Sequence, residues 1–589
     1  MREYGSRLAE IRVAVDHDLA ERQTTAEETI RREHKHQGVA QASMASAVSS
    51  LRLCTTLDWQ AYVETVSLVD LVLRRDPAGA YAQMDFLSRD ALRHAVEDLA
   101  PVSGEGQVRV ALKAIESARP IQSDDPTAAG AHVGYHLIDA GRRGLEEDLA
   151  YRPTLRHRAT RALARHPALV YFGALSLVTA LLLAWLDRYP AHTGASPLMR
   201  WAVVLCALLP AADVAVAAVQ HLVTRILSPR RLQRLDLTTG VPTTARTMVV
   251  VPTMLTSLPG VDALLKHLEV LALGNLDPCV HFAILSDFTD ARAQALPADA
   301  ALLARARSGI DALNHKLGGE RADLFFLFHR DRQWNASESA WIGWERKRGK
   351  LEEFNRLLRG ASDTSFSTQL GALDLLPSIR YCITLDSDTR LPRDAAKRLI
   401  SIAVHPLNRA RLDPTLGRVT SGYGILQPRV SVTSSSAAGS LFAQTYAGHT
   451  GVDPYTTAVS DVDQDLFDEG TFTGKGLYDV DAFTAALAGR VPDNSLLSHD
   501  LFEGLHARTA LVSDVEVVDD YPSSVLAHAR RQHRWVRGDW QILWWLLPFV
   551  PSRAGLVRNR LALLARWKIV DNLRRSLMAP ATLLFLISG

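Results

Sequence analysis

The run "ALVYFGALSLVTALLLAWL", Ala168–Leu186, carries no charged residue, and as an α-helix it is long enough to cross the roughly 30 Å hydrocarbon core of a bilayer. A second apolar run, Trp201–Val223, follows the short linker "DRYPAHTGASPLMR" and is interrupted by Pro210 and Asp213. Together they predict a transmembrane helical hairpin within residues 151–228. Arg152, Arg156, Arg158, Arg161 and Arg165 precede it, and Arg225, Arg230, Arg231 and Arg234 follow the second run. An excess of arginine at both ends places both on the cytoplasmic side. The alternative is a buried core hairpin of a soluble protein.

A chain of 589 residues is too long for one core, so the hairpin should separate further domains. Residues 1–150 are charged, alanine-rich and helix-periodic, with "VETVSLVDLVLRRD" the clearest amphipathic piece, and read as a helical accessory domain with no motif that assigns it a task. A net charge of +2 gives no reason to expect a nucleic-acid partner. Cys54, Cys206, Cys279 and Cys382 are scattered without metal-ligand spacing, which fits buried thiols in a reducing compartment. At the other end, "QILWWLLPFVP" and "AGLVRNRLALLARWKIVDNLRRSL" mix Trp, Leu and Arg as helices of the headgroup layer do, so residues 541–576 are expected to be amphipathic interface helices. An internal core helix is the alternative. "SLMAPATLLFLISG" is apolar but short, and 577–589 read as the start of a third span that the chain's end cuts.

Residues 229–540 alternate strands and helices. "RTMVVVPTM", "VHFAILSD", "DLFFLFHR" and "IRYCITLDSD" are strand-like, and "GVDALLKHLEVLAL", "ALLARARSGIDALNHKL", "KLEEFNRLLRG" and "PRDAAKRLISIAV" are helix-like. This order predicts an α/β domain whose mostly parallel sheet is covered on both faces. Ligands of such sheets sit at the carboxyl ends of the strands, where Asp287 and the Asp386/Asp388 pair fall. A carboxylate pair there can hold Mg²⁺ or Mn²⁺ against phosphate oxygens. The pair alone also fits a solvated turn or a helix cap. A phosphatase of the haloacid dehalogenase type would want Thr or Val where this chain has Arg390. Downstream come the glycine loop "FDEGTFTGKGLYDVDAF" around Gly474 and Lys475, then "SLLSHDLFEG" with Asp500, then "ARRQHRWVRGDWQ" with Gln532, Arg534 and Trp535.

This order resembles the membrane-embedded, inverting GT-A glycosyltransferases of the cellulose and hyaluronan synthase kind. "SLVDLVLRRDPAGAYAQMDFLSRDALRHAVEDLA", "ERKRGKLEEFNRLLRG", "TLDSDTRLPRDAAKRLI", "GKGLYDVDAF" and "RRQHRWVRGDWQ" are similar, more closely, to the cyclic β-1,2-glucan synthases of glycosyltransferase family 84. The resemblance runs from about Leu51 onward. Family members are much longer, so the chain is expected to be their N-terminal glycosyltransferase portion, cut short and without the region that trims or closes the glucan.

The resemblance implies a processive glucosyltransferase of a bacterial-type inner membrane that makes β-1,2-glucan from UDP-glucose on the cytoplasmic face. It implies Asp388, with Asp386, as ligands of Mg²⁺ or Mn²⁺, Asp287 at the uridine, and Lys347, Arg348 and Lys350 as positive charge for the diphosphate. A solvated basic face is the alternative for those three. Asp500 becomes the base that deprotonates the acceptor, with a capping aspartate as the alternative. His499 is expected to orient or pack. Trp535 floors the acceptor site beside Gly474 and Lys475, while Gln532 and Arg534 reach donor phosphates or acceptor. The usual QxxRW pattern wants Gln four residues before Trp, where Arg531 stands. Tyr478 is a candidate tyrosyl attachment point for the growing glucan, with packing as the alternative. Another β-glucan synthase, or a scaffold that only binds nucleotide sugar, keeps the same architecture.

Overall fold

A computed structural model describes residues 5–151, 165–227, 229–318, 323–447 and 461–588. The chain forms two compact units, Met1–Leu71 and Val72–Gly589. The first consists of helices Gly5–Glu21, Ala26–Thr56 and Trp59–Val66, the latter two started by Thr25 and Asp58, which accept from the amides of Glu28 and Ala61. The boundary differs from the one expected near residue 150. Helical periodicity is alike on both sides of Leu71, but tertiary bonds are not. Buried Asp76 accepts from the Val133 amide at 2.9 Å and meets His132 at 2.8 Å, the Asp236 amide donates to the Gln83 carbonyl at 2.7 Å, and the Arg234 amide donates to Ser88 at 3.0 Å. Residues 72–151 are thereby tied to the domain that follows the hairpin.

That domain is built on an eight-stranded sheet. Its strands are β1 Thr247–Leu255, β2 Val280–Phe288, β3 Phe325–Arg330, β4 Phe366–Leu370, β5 Tyr381–Thr384, β6 Ile425–Val432, β7 Gly476–Asp479 and β8 Thr509–Asp519, in the order β8-β6-β7-β5-β1-β2-β3-β4. Strands β5, β1, β2 and β3 run parallel, as do β6 and β8, while β4 and β7 are antiparallel to their neighbours. Alternation along each strand feeds two cores. Val249, Val251, Ile284 and Leu327 pack with Leu264 and Leu268 of the Leu258–Gly274 helix, and Met248, Val250, Leu285 and Phe328 pack with Leu351 and Phe354 of the Arg346–Leu357 helix. The expected α/β class and mostly parallel sheet are present.

Two helices, Pro167–His192 and Pro197–Ile226, are long and apolar enough to cross a membrane. Arg165 lies just before the first; Arg152, Arg156, Arg158 and Arg161 fall outside the described residues. Asp213, a flaw in the second apolar run, pairs with Arg574, which also holds Asp571 at 2.8 Å. The chain's end departs from expectation. Ile542–Leu546 is a 3₁₀ turn, Phe549–Ser552 and Gly555–Arg558 form a hairpin, and one helix runs from Leu563 to Ser588. Ile542 and Trp545 are 2% exposed, Trp545 among Phe502, Ile569 and Leu573, whereas Trp544, Leu547 and Phe549 stay exposed, so the aromatic run that reads as an interface helix is a turn and a hairpin with one side in a core and one side open. The expected third span is the end of this helix, and among the described residues only the two earlier helices meet the span criteria. Its Lys568 donates to the carbonyls of Glu469 and Gly470, at 2.9 and 2.6 Å, and fixes the start of the glycine loop.

Candidate active site at the carboxyl edge of the sheet

Strand β7 pairs with β5 so that Gly476 faces Thr384, which lays Gly474 and Lys475 beside the residues that follow β5. Asp386 is held there by two ammonium groups, Lys347 Nζ at 2.7 Å from Oδ1 and Lys475 Nζ at 3.1 Å from Oδ2. Burial opposes its charge, yet the two lysines overcome this and hold the carboxyl well below the usual carboxylate range. Asp388 is exposed and shifts the other way. Although its surface is open, the protein packed around the turn partly desolvates its carboxyl, and with the like charges of Asp519 and Asp386 this raises it. The same aspartate pair thus splits into a member whose charge two lysines compensate and one on which acidic neighbours outweigh the pull of Lys475. A cation fits the second.

Asp519, at the end of β8, is a site residue that the sequence reading missed. It is 1% exposed, accepts from Thr389 Oγ1 at 2.6 Å and pairs with Lys475 at 2.5 Å. Reciprocal backbone bonds between Arg390 and Val518, 2.8 and 3.0 Å, zip the DxD turn onto this strand. The signal was present in "DVEVVDDYP", an alternating run that ends on two acids as "ITLDSD" does.

Asp500 opens the Asp500–Ala507 helix and faces Gly474. Gly474 has φ +85°, and a Cβ there would lie 2.7 Å from Asp500 Oδ1, so only glycine permits both the turn and the approach. Lys347 donates to the Gly474 carbonyl at 3.2 Å as well as to Asp386. One ammonium group therefore joins the DxD turn, the glycine loop and the neighbourhood of Asp500. Asp500 keeps 27% of its side chain exposed, and its Oδ1 has no hydrogen-bond partner. His499 Nδ1 lies 3.6 Å from that oxygen and 2.7 Å from Glu503 Oε1. Burial works against the imidazolium, but Glu503 and Asp500 raise His499 above its ordinary value, while burial raises Glu503. His499, Asp500 and Glu503 also stand close enough to share a cation.

The remaining expected residues separate. Asp287, 5% exposed, is gripped by Arg330 through two bonds of 2.9 and 3.0 Å and by Lys350 at 3.0 Å. Arg330 also pairs with Glu353 at 2.8 Å, and Lys350 donates to the Thr253 carbonyl at 2.6 Å. Burial pushes Lys350 down to about 8. Arg348 pairs with Glu345 at 2.7 Å and Glu352 at 3.1 Å. Of the three basic residues expected at the phosphates, only Lys347 reaches the DxD turn: Arg348 points off that face to Glu345 and Glu352, and Lys350, one turn on, is taken up by Asp287 and the Thr253 carbonyl. Tyr478 is 1% exposed, its hydroxyl donating to Asn355 at 2.9 Å and its ring 4.5 Å from Phe483. It lies in the core formed with Leu351, Phe354 and Phe483, which favours the packing alternative over tyrosyl attachment.

The basic and aromatic cluster rides on the Val525–Gln541 helix. Gly538 lets this helix close on Ser498, where a Cβ would meet the Ser498 Cβ at 2.2 Å, and Gln541 accepts from the Leu497 amide at 2.7 Å. The helix is thus docked on the segment before Asp500. Gln532 and Arg534 are exposed, and Trp535 is half-buried with the Arg531 guanidinium 4.7 Å from its ring. Among the described residues neither Gln532 nor Arg534 bonds to the Asp386–Asp500 group.

No family model matches the chain. It is similar to cyclic beta-(1,2)-glucan synthase NdvB of Rhizobium meliloti (strain 1021), with 39% identity over 585 residues, which is 98% of this chain. The chain spans only 20% of that relative's length. Through nearly all of its residues, the chain is related to one fifth of a cyclic β-(1,2)-glucan synthase.

Proposed function

We propose that this chain is the glucosyl-transferring part of a β-1,2-glucan synthase, an inverting, processive GT-A-type transferase. It takes glucose from UDP-glucose at the cytoplasmic face of a bacterial-type inner membrane, anchored by the Pro167–His192 and Pro197–Ile226 helices. The observation that carries the reading is the Lys347 bridge, which gathers Asp386, the Gly474 loop and the surroundings of Asp500 at one sheet edge.

UDP-glucose is an α-glycoside and the product linkage is β, so a single displacement suffices, with a base on the acceptor side and charge neutralisation on the leaving side. Asp500 takes the proton of the acceptor hydroxyl; its side chain is 27% exposed, so the carboxylate is open to an acceptor from one side. Mg²⁺ or Mn²⁺ held by Asp388 with Asp386 would supply Lewis-acid neutralisation of the leaving diphosphate. Lys347 and Lys475 orient Asp386 and add positive charge beside it. Asp287 acts behind the donor site, its carboxylate keeping Arg330 and Lys350 in place. Trp535, Gln532 and Arg534 lie on the helix docked beside Asp500 and serve acceptor and donor from there.

The test is incubation of the full chain in nanodiscs with labelled UDP-glucose and Mg²⁺ or Mn²⁺, followed by linkage analysis. Metal-dependent UDP release with 2-linked glucose is expected. Another linkage would leave a transferase of a different β-glucan, and absence of UDP release would leave a nucleotide-sugar-binding scaffold.

A further inference from the structure

A cavity of about 210 Å³ lies against the Asp500–Ala507 helix, lined by His499, Phe502 and Glu503 of that segment but not by Asp500. Across it stand Arg348, Thr484 and Leu487. Four polar atoms on its lining residues are buried without a hydrogen bond: Arg348 Nε, Arg348 Nη2, Thr484 Oγ1 and Glu503 Oε2; of these, Arg348 Nη2 lies 2.7 Å from Glu345 as an ion pair, which leaves three without any partner. Arg348 and Glu503 are only 6% and 4% exposed, so bulk water does not serve them. Each such vacancy costs on the order of 1–3 kcal/mol, and three around one cavity point to an occupant that satisfies them. Thr484 is informative because a threonine within a helix either faces water or donates to the carbonyl one turn back, and its buried Oγ1 does neither.

The charges on the wall decide what kind of occupant. Arg348 is paired with Glu345 and Glu352, Arg356 with Asp363, and Arg553 with Glu352 and Asp493. His499 is held by Glu503 at 2.7 Å, so among the described residues of the wall no cation is left over for an anionic ligand. What remains is a donor, an acceptor and a hydroxyl, set among the apolar faces of Phe483, Leu487 and Phe502. Hydroxyls that both donate and accept, on a ring with apolar C–H faces, match that set. The volume is below the roughly 300 Å³ where drug-sized sites begin, which suits one ring rather than a chain.

We propose that this cavity is a second sugar site, binding a neutral polyol the size of one hexose at the back of the helix that carries Asp500. The ligand contacts Glu503, whose other oxygen holds His499, so occupancy is felt next to Asp500. The inference rests on the cavity alone and stands apart from the reaction proposed above.

The probe is D-glucose, added without UDP-glucose to the full chain in nanodiscs and followed by saturation-transfer NMR and calorimetry. Saturable binding is expected. Leu487→Trp, which fills the cavity, should abolish it while UDP release from UDP-glucose persists, and Thr484→Val, an isosteric loss of one hydrogen bond, should weaken it about fivefold. Absence of saturable binding to the unaltered chain overturns the proposal. So does binding that neither substitution changes, which would place the glucose at the acceptor position. Binding of inorganic phosphate in place of glucose overturns the neutral-polyol assignment.

Discussion

Two charge clusters lie along one edge of the same sheet, and they are built on opposite plans. Behind β2 and β3, Asp287, Arg330, Lys350 and Glu353 are all buried, their charges balance, and ion pairs chain them together, Lys350 to Asp287, Asp287 to Arg330 and Arg330 to Glu353. At the turn after β5, Asp386 and Asp388 are partly or fully exposed, Asp388 is raised by desolvation and its acidic neighbours, and Asp500 keeps an oxygen without a hydrogen-bond partner. Buried ions are tolerable only when fully paired, so the first cluster is the scaffold. The second retains unsatisfied charge, which is what binding and chemistry need.

The sharpest way to break that contrast is to remove one member from each cluster. Arg330→Met should cost about 3–5 kcal/mol of stability, because it strands Asp287 and Glu353 in the interior with one lysine between them. A thermal melt followed by tryptophan fluorescence checks it; a melting point close to that of the unaltered chain would mean the cluster is wetter than its burial implies. Asp500→Asn should leave the melt unchanged and cut glucosyl transfer by roughly 10²- to 10⁴-fold while UDP-glucose still binds. Retained transfer would remove Asp500 from the proton step.

A smaller effect should separate the two lysines on Asp386. Lys475 is 5% exposed and also holds Asp519, whereas Lys347 is 28% exposed. Lys475→Met should therefore cost about 1.5–3 kcal/mol of stability through the charged hydrogen bonds it loses. Lys347→Met should cost under about 1 kcal/mol, since its partner is half exposed, yet weaken UDP-glucose binding. Equal melts for the two variants would erase the distinction between scaffold and rim.

Much of this contrast could be read in the sequence, and the reasons for the rest are physical. Runs such as "VHFAILSD" and "IRYCITLDSD" announce buried strands that end on acids, so Asp287, Asp386 and Asp388 were placed at the sheet edge. Burial at that edge was not legible. Nothing local tells that Asp287 is sealed by Arg330, forty-three residues away and one strand over. Asp519 escaped because its partners, Thr389 and Lys475, come from two other segments. Strand β7 is only four residues long, too short for periodicity to register, so the sequence leaves Tyr478 open between attachment point and packing, and the structure places it in the core. The Phe549–Arg558 hairpin was hidden by flanking Trp and Leu residues that also make an amphipathic helix pattern.

Two histidines carry the comparison into pH dependence. His329, on β3 beside Arg330, is fully buried with Nδ1 on Ser286 at 2.9 Å, and burial pushes it down to about 4. In the unfolded chain it titrates near 6.5, so between pH 6.5 and about 4 the unfolded state binds the extra proton and the fold loses stability. The slope approaches 1.4 kcal/mol per pH unit and levels off below 4. His499 at the rim is raised by Glu503 and Asp500 despite its burial, so the opposite holds. Its contribution is complete below pH 6.5 and is lost as pH rises through its folded value. Denaturant melts from pH 4.5 to 8.5 on His329→Gln and His499→Gln should therefore diverge. The first variant flattens the acid-side decline, and the second removes a decline on the alkaline side. Parallel changes in both would mean that the rim is as neutral as the core, and that the unsatisfied charge at Asp500 is balanced from somewhere other than His499.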